Sequence, residues 1–189
     1  QVVGTVVERG EGVTRLQEGD RVGIAWIHSS CGICEYCLRG DDNLCSRFEA
    51  TGRDAHGGYA EYTTIHEDYA FPIPGAFSDL EAAPLLCAGT IGYRSLRLAG
   101  LVNGQNLGLI GFGASAHLVI QLARFQYPDS RIFVFARSQG EQAFARELGA
   151  CWAGGADEPS PETLHAAIDT TPAWGTIVAG LRNLAPGGR

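Results

Sequence analysis

The chain has 189 residues, 45% apolar and 19% charged, enough for a packed core in one large domain or two small ones. Its 14 basic and 21 acidic residues leave a net charge of −7, which argues against the basic face that a nucleic-acid partner needs. No apolar run approaches the roughly 18 residues that cross a bilayer and no secretory leader is read, so a soluble protein of the reducing cytoplasm is expected, with no membrane partner.

Residues 1–8 are rich in β-branched side chains and read as a strand. Turns at Arg9 to Gly12 and at Gly19-Asp20 lead into a second strand over 21–27. A cysteine-rich excursion follows. Residues 46–58 carry little periodicity and end in Gly57-Gly58. Tyr59 to Ile65 resumes as a strand, and Tyr69-Ala70-Phe71 is a short one before Pro72 and Pro74. The first ~75 residues therefore predict an antiparallel β-barrel piece. The character then changes. Ser78-Asp79-Leu80-Glu81 is a capping box, and a helical pattern continues to Leu98, closed by Gly100. Strands over 106–110, 131–135, 150–153 and 166–169 alternate with helices over 114–124, 138–148 and 173–184, the second of them opened by a capping box at Ser138-Gln139-Gly140-Glu141. That alternation predicts a parallel α/β sheet.

Four of the six cysteines, Cys31, Cys34, Cys37 and Cys45, fall in fifteen positions with the spacing C-x2-C-x2-C-x7-C. Four thiolates can close a tetrahedral shell around one Zn²⁺ and leave no position for substrate, so the site reads as structural. Two disulfides are an alternative, as is an iron–sulfur cluster; the seven-residue gap and Ser46 after the last cysteine differ from the ferredoxin run.

Gly111-Phe112-Gly113-Ala114-Ser115-Ala116 lies between a predicted strand and a predicted helix. It is G-x-G-x-x-A, a dinucleotide fingerprint, with the helix N-terminus offering free N–H groups to a pyrophosphate. The next strand ends in Ala136-Arg137-Ser138. No Asp or Glu stands there to bind an adenosine 2′-hydroxyl, and Arg137 can pair with a 2′-phosphate, so NADP(H) is favoured over NAD(H). His56 and His66 have no partner at ligand spacing. His117 is read as a packing or capping residue, Cys151 as a buried thiol and Asp169 as a strand-end acid.

Taken in order, the cysteine lobe, Gly57-Gly58-Tyr59-Ala60-Glu61-Tyr62, Pro84-Leu85-Leu86-Cys87-Ala88-Gly89 and the Gly111 fingerprint resemble the zinc-dependent alcohol dehydrogenases of the medium-chain dehydrogenase/reductase superfamily. The resemblance implies a GroES-like barrel portion over residues 1–80 and a Rossmann-type doubly wound parallel sheet over residues 81–189, both incomplete. It implies hydride transfer between alcohols and aldehydes or ketones with a nicotinamide cofactor and a catalytic zinc, in a protein that forms homo-oligomers. It makes Cys87 a catalytic zinc ligand, Trp26 a wall of the substrate pocket and Thr90 a neighbour of the nicotinamide, although many members carry that Thr one place later. The family's first catalytic Cys and its Gly-His-Glu segment precede the residues that Val2-Val3-Gly4 resemble. The chain is thus expected to be an internal piece of a longer protein, with one of three catalytic ligands and no turnover by itself. A polyol or sugar dehydrogenase on the same scaffold and a non-catalytic zinc- and nucleotide-binding module are the rival expectations.

Overall fold

Antiparallel pairing opens the chain. In the computed structural model, which describes residues 1–189, β1 (Val2–Thr5) pairs with β2 (Arg21–Ile24), Val2 opposite Ile24 and Thr5 opposite Arg21. The second ladder partner of β2 is the later strand Ala70–Pro72, so the sheet runs β1, β2, Ala70–Pro72. Pro72 has no N–H to donate, and it stands in an edge strand, where that is tolerated. β3 (Ile27–Ser29) and β4 (Glu49–Ala50) form a separate two-stranded sheet that brackets the cysteine lobe; Ala70–Pro72 is β5. The expected strand over 21–27 thus ends at Ile24, and Trp26 lies in the bend between β2 and β3.

The expected strand over Tyr59–Ile65 does not form. β-branched and aromatic residues suit a pleated surface, but a strand needs a ladder neighbour, and no segment pairs with this one. Tyr59 and Tyr62 are exposed, while Ile65 packs with Val6 and Val13 against Leu16, Val22 and Ala70.

The capping box forms at Ser78. Its hydroxyl accepts the Glu81 N–H, and the Glu81 carboxylate accepts the Ser78 N–H at 2.8 Å, which starts α2 (Asp79–Pro84) after the four-residue α1 (Glu35–Leu38) of the lobe. Pro84 offers no N–H to Leu80 and crowds its carbonyl. The next turn, Leu85–Gly89, opens into a π turn before α3 (Thr90–Ala99) resumes and ends at the left-handed Gly100, φ 61°. The chain divides into two compact units, Gln1–Cys87 and Ala88–Arg189.

In the second unit β6 (Asn106–Ile110), β7 (Arg131–Phe135), β8 (Trp152–Gly154) and β9 (Ala166–Asp169) run parallel in the order β8-β7-β6-β9. The third of these starts two residues later than expected. α4 (Ala114–Gln126), α5 (Gln139–Glu147) and α6 (Trp174–Arg182) connect and follow them. Leu107, Leu109, Ile132 and Val134 face a core with Val119, Ile120 and Ala123 of α4 and Ala145 of α5. Ile110, Phe133 and Phe135 face the other side with Leu164. Gly180 of α6 is seated there, since an added Cβ would stand 2.2 Å from Ile110 Cδ1. Both faces of the sheet are covered, which is the doubly wound α/β arrangement that the alternation predicts. No helix is long and apolar enough to cross a membrane.

Candidate functional site: a four-cysteine lobe and a nucleotide loop

The Sγ atoms of Cys31, Cys34, Cys37 and Cys45 all lie within 4.8 Å of one another, and none is in a disulfide. Cys31 and Cys37 are 3.9 Å apart and Cys34 and Cys37 3.5 Å. A tetrahedron of sulfurs about 2.3 Å from one zinc has an edge of about 3.8 Å, so the donor set fits Zn²⁺. Local chain geometry builds it. Gly32 (φ 72°) and Gly40 (φ 76°) take left-handed turns, and α1 returns Cys37 beneath Cys34. Backbone N–H groups are aimed at the sulfurs: Cys34 N–H at Cys31 Sγ (3.3 Å), and those of Cys31 and Arg47 at Cys45 Sγ (3.5 and 3.3 Å). Ser30 Oγ lies 3.2 Å from Cys37 Sγ, 2.8 Å from an Asp42 carboxylate oxygen and 2.7 Å from the Tyr69 hydroxyl, which ties the lobe to the entry of β5.

The electrostatics of the four thiols pull in opposite directions. The Ile33 backbone N–H, helped by the Arg47 guanidinium, holds the Cys31 thiol down to about 5. Cys37 moves the other way: the Ser30 hydroxyl favours its thiolate, but burial and the Cys34 and Cys45 sulfurs outweigh it and push Cys37 up to about 11. Four thiolates this close repel one another, and a divalent cation is what lets all four ionise.

Cys87 stands on the π turn and is exposed. The turn is seated on β2: a Cβ at Gly23 would stand 2.7 Å from Leu86 Cδ2. No second group of His, Cys, Asp or Glu gathers around Cys87; the four-cysteine lobe is the one such cluster. Thr90 is the first residue of α3. Trp26 is exposed and meets Phe48 edge-on at 5.1 Å, with the Arg53 guanidinium 5.7 Å from its ring. Arg53 is itself held by Asp54 at 2.7 Å. Phe48 and Arg53 carry no signal in the sequence, because only the pairing of β3 with β4 and the turn at 51–55 bring them to Trp26.

The fingerprint loop leaves the carboxyl end of β6, between β7 on one side and β9 on the other, where the strand order reverses. Gly111 needs glycine twice over. Its φ is 81°, and a Cβ would stand 2.8 Å from Thr171 Cγ2. Gly113 differs: it caps α4 in extended backbone, and an added Cβ would meet nothing within 4 Å. That open side borders the amino end of α4, whose first N–H groups have no partner within the helix. Ala116 is fully buried, so the third position is small for packing. Phe112 is also buried, edge-on to Phe144 of α5 at 6.0 Å, and His117 packs on the same ring at 5.4 Å.

At the end of β7, Ala136 is buried and its N–H donates to the Gly154 carbonyl at 2.9 Å, while Arg137 and Ser138 are exposed. Ser138 caps α5. The Glu141 carboxylate accepts its N–H and hydroxyl proton, both at 3.1 Å. Ser138, and to a lesser degree Arg137, hold that carboxylate below the usual range. A negative charge therefore stands beside the residues read as open to a 2′-phosphate. The S-x-x-E capping box was its sequence signal.

Residues 1–75 match the alcohol dehydrogenase GroES-like domain family. A Mycobacterium tuberculosis protein named "Probable alcohol dehydrogenase AdhA" is 45% identical over 100% of this chain and 55% of its own length. Over its whole length the chain is thus similar to zinc-type alcohol dehydrogenases of the medium-chain dehydrogenase/reductase superfamily. Two solved alcohol dehydrogenase-like structures share the fold. The Helicobacter pylori CAD complexed with NADP(H) superposes with a TM-score of 0.89 at 26% identity, over 98% of this chain and 56% of that one. The D-arabinose dehydrogenase of Sulfolobus solfataricus gives 0.86 at 28% identity, over 98% and 61%. The chain thus spans about half the length of the curated relative it matches.

The structure also places His66 and Cys151. His66 caps the turn at Glu67–Tyr69, its Nδ1 accepting the Asp68 N–H at 3.3 Å. Cys151, expected to be buried, is exposed: it precedes β8 at the amino end of the sheet, and its thiol donates to the Ile132 carbonyl at 3.1 Å.

Proposed function

We propose that this chain is the zinc-clamped barrel portion (residues 1–80) and nucleotide-binding portion (residues 81–189) of a cytoplasmic, homo-oligomeric alcohol dehydrogenase that prefers NADP(H). Hydride would pass from the carbinol carbon of a small alcohol to the nicotinamide, and the hydroxyl proton would leave to solvent, giving an aldehyde or ketone. The observation that carries this reading is the Gly111–Ala116 turn at the strand-order reversal, with open space over Gly113 and a covered Gly111. Gly111 to Ala116 are assigned to the pyrophosphate, and Ala136, Arg137 and Ser138 to the adenosine ribose. Cys31, Cys34, Cys37 and Cys45 are assigned to one structural Zn²⁺, which fixes the lobe and takes no part in chemistry.

Cys87 is assigned as one ligand of a catalytic zinc, with Trp26 on the substrate side and Thr90 toward the nicotinamide. A zinc with an open position polarises the substrate oxygen and favours its alkoxide. Cys87 alone does not make a zinc site, and it belongs to no cluster of three or more such ligands. The 189 residues by themselves are therefore proposed to bind one zinc and a dinucleotide without oxidising alcohols.

Dinucleotide titration tests the reading. NADPH should bind about tenfold more tightly than NADH, and Arg137→Ala should remove most of that difference, since it deletes the one cation placed for a 2′-phosphate. Equal affinities in the unsubstituted chain would sink the NADP(H) preference. A sugar or polyol dehydrogenase is the second reading, favoured by the likeness to the D-arabinose dehydrogenase. Turnover of polyols but not simple alcohols by the full-length protein would select it, and turnover of neither would select a non-catalytic module.

A further inference from the structure

The turn between β9 and α6 carries polar side chains to which the proposed hydride transfer assigns no part. Asp169 ends β9 opposite Ile110. Its Oδ1 accepts the Thr171 N–H at 2.6 Å, and its Oδ2 lies 3.1 Å from the Thr176 hydroxyl on the first turn of α6. That hydroxyl also lies 2.6 Å from the Ala173 carbonyl and pairs with the Thr171 hydroxyl. On the other side of the turn the Thr170 N–H donates to the Ile110 carbonyl at 2.9 Å, and the Thr170 hydroxyl reaches the same oxygen at 3.3 Å. These bonds hold Thr170 and Thr171 against the fingerprint. A Cβ on Gly111 would stand 2.8 Å from Thr171 Cγ2 and 3.2 Å from Thr170 Oγ1.

We propose that Asp169, acting through Thr171 and Thr176, is a positioning residue for the dinucleotide. It fixes the β9–α6 turn as the wall against which the Gly111 turn is set. The wall in turn holds the free N–H groups at the start of α4 where a pyrophosphate must find them. A carboxylate suits the task because its two oxygens reach two partners at once, one accepting the Thr171 N–H and the other beside the Thr176 hydroxyl. A merely solvated strand-end acid would have no reason to be bonded on both oxygens by its own turn. The proposal rests on the nucleotide reading above. It also makes a separate claim: Asp169 stands at the end of β9, whereas the Ala136–Ser138 segment follows β7, so the clamp should not discriminate between NADPH and NADH.

The test is the dissociation constant of each dinucleotide in the full chain, with melting followed in parallel. Asp169→Ala and Thr176→Val should each weaken NADPH and NADH alike, by about five- to tenfold. Asp169→Asn and Thr176→Ser should recover binding to within about twofold, because an amide can still accept the Thr171 N–H and donate to the Thr176 oxygen. Unchanged affinity in Asp169→Ala and Thr176→Val overturns the clamp and leaves the nucleotide reading standing. So does a loss that tracks melting in all four variants without recovery. An unsubstituted chain that binds neither dinucleotide overturns the nucleotide reading and the clamp together.

Discussion

The core cluster of residues 1–87 gathers three buried side chains, Leu16, Val22 and Ala70, around short antiparallel strands. The main cluster of residues 88–189 gathers seventeen, from Leu96 to Ile168, and a second cluster covers the opposite sheet face. The first unit places four thiols within 4.8 Å of one another; the second has no such group. A small unit with little apolar surface to bury needs another source of order, and a metal held by a short local stretch supplies it. The α/β unit needs none, because a parallel sheet covered on both faces buries enough by itself.

The largest break in that contrast should come from the metal. The chain should contain about one zinc. Stripping it with a chelator, or Cys34→Ser, should release residues 1–87 to fast amide exchange while β6 and β7 stay protected. Structural zinc contributes apparent free energies of about 10–16 kcal/mol in small domains, more than any one side chain. Unchanged exchange in the first unit after zinc removal would end the comparison.

Phe133→Ala is the converse. Phe133 is fully buried between strands, and its truncation should cost about 3–5 kcal/mol in the second unit with zinc content unaltered. Next come the two fingerprint glycines. Gly111→Ala should destabilise the second unit by about 1–3 kcal/mol, through a positive φ and a clash with Thr171. Gly113→Ala should leave the melting temperature in place and weaken dinucleotide binding instead, since its Cβ fills only the open side. Identical behaviour of the two variants would refute the division of labour between them.

The smallest effect concerns the Ser138–Glu141 capping box. The folded pKa of Glu141 is lowered from 4.5, so its contribution is present above 4.5 and fades as the pH falls through the lowered value. Glu141→Gln keeps the box's hydrogen bonds in neutral form. The melting difference between the two proteins should therefore shrink on acidification, and a difference that grows would reverse the sign. The same variant should tighten NADPH by about twofold and leave NADH alone, because it removes a negative charge beside Arg137.

Elements with their own local signals were legible in the sequence. The capping boxes at Ser78 and Ser138, the glycine that ends α3 and the strand–loop–helix around Gly111 all appear where residue chemistry places them. The four-cysteine lobe was legible for the same reason, since ligand spacing within fifteen residues leaves the chain little choice. Tyr59–Ile65 was misread because its composition suits a strand, yet a strand exists only when a partner lies alongside. Cys151 was misread because residue type says how a side chain behaves when buried, not whether it is.

What the sequence determined by itself is therefore everything set by neighbours along the chain: helix starts, turn glycines, the metal spacing and the order of strands and helices. Tertiary structure alone decided which face each strand turns to α4 or α6 and that Arg53 stacks on Trp26. It alone brought Thr170 and Thr171 against Gly111 across some sixty residues of chain, through the parallel pairing of β6 with β9. Local chemistry acts over a few bonds and is written in order. Contacts between distant segments depend on which strands pair and which faces are buried, and that is settled only when the sheet closes.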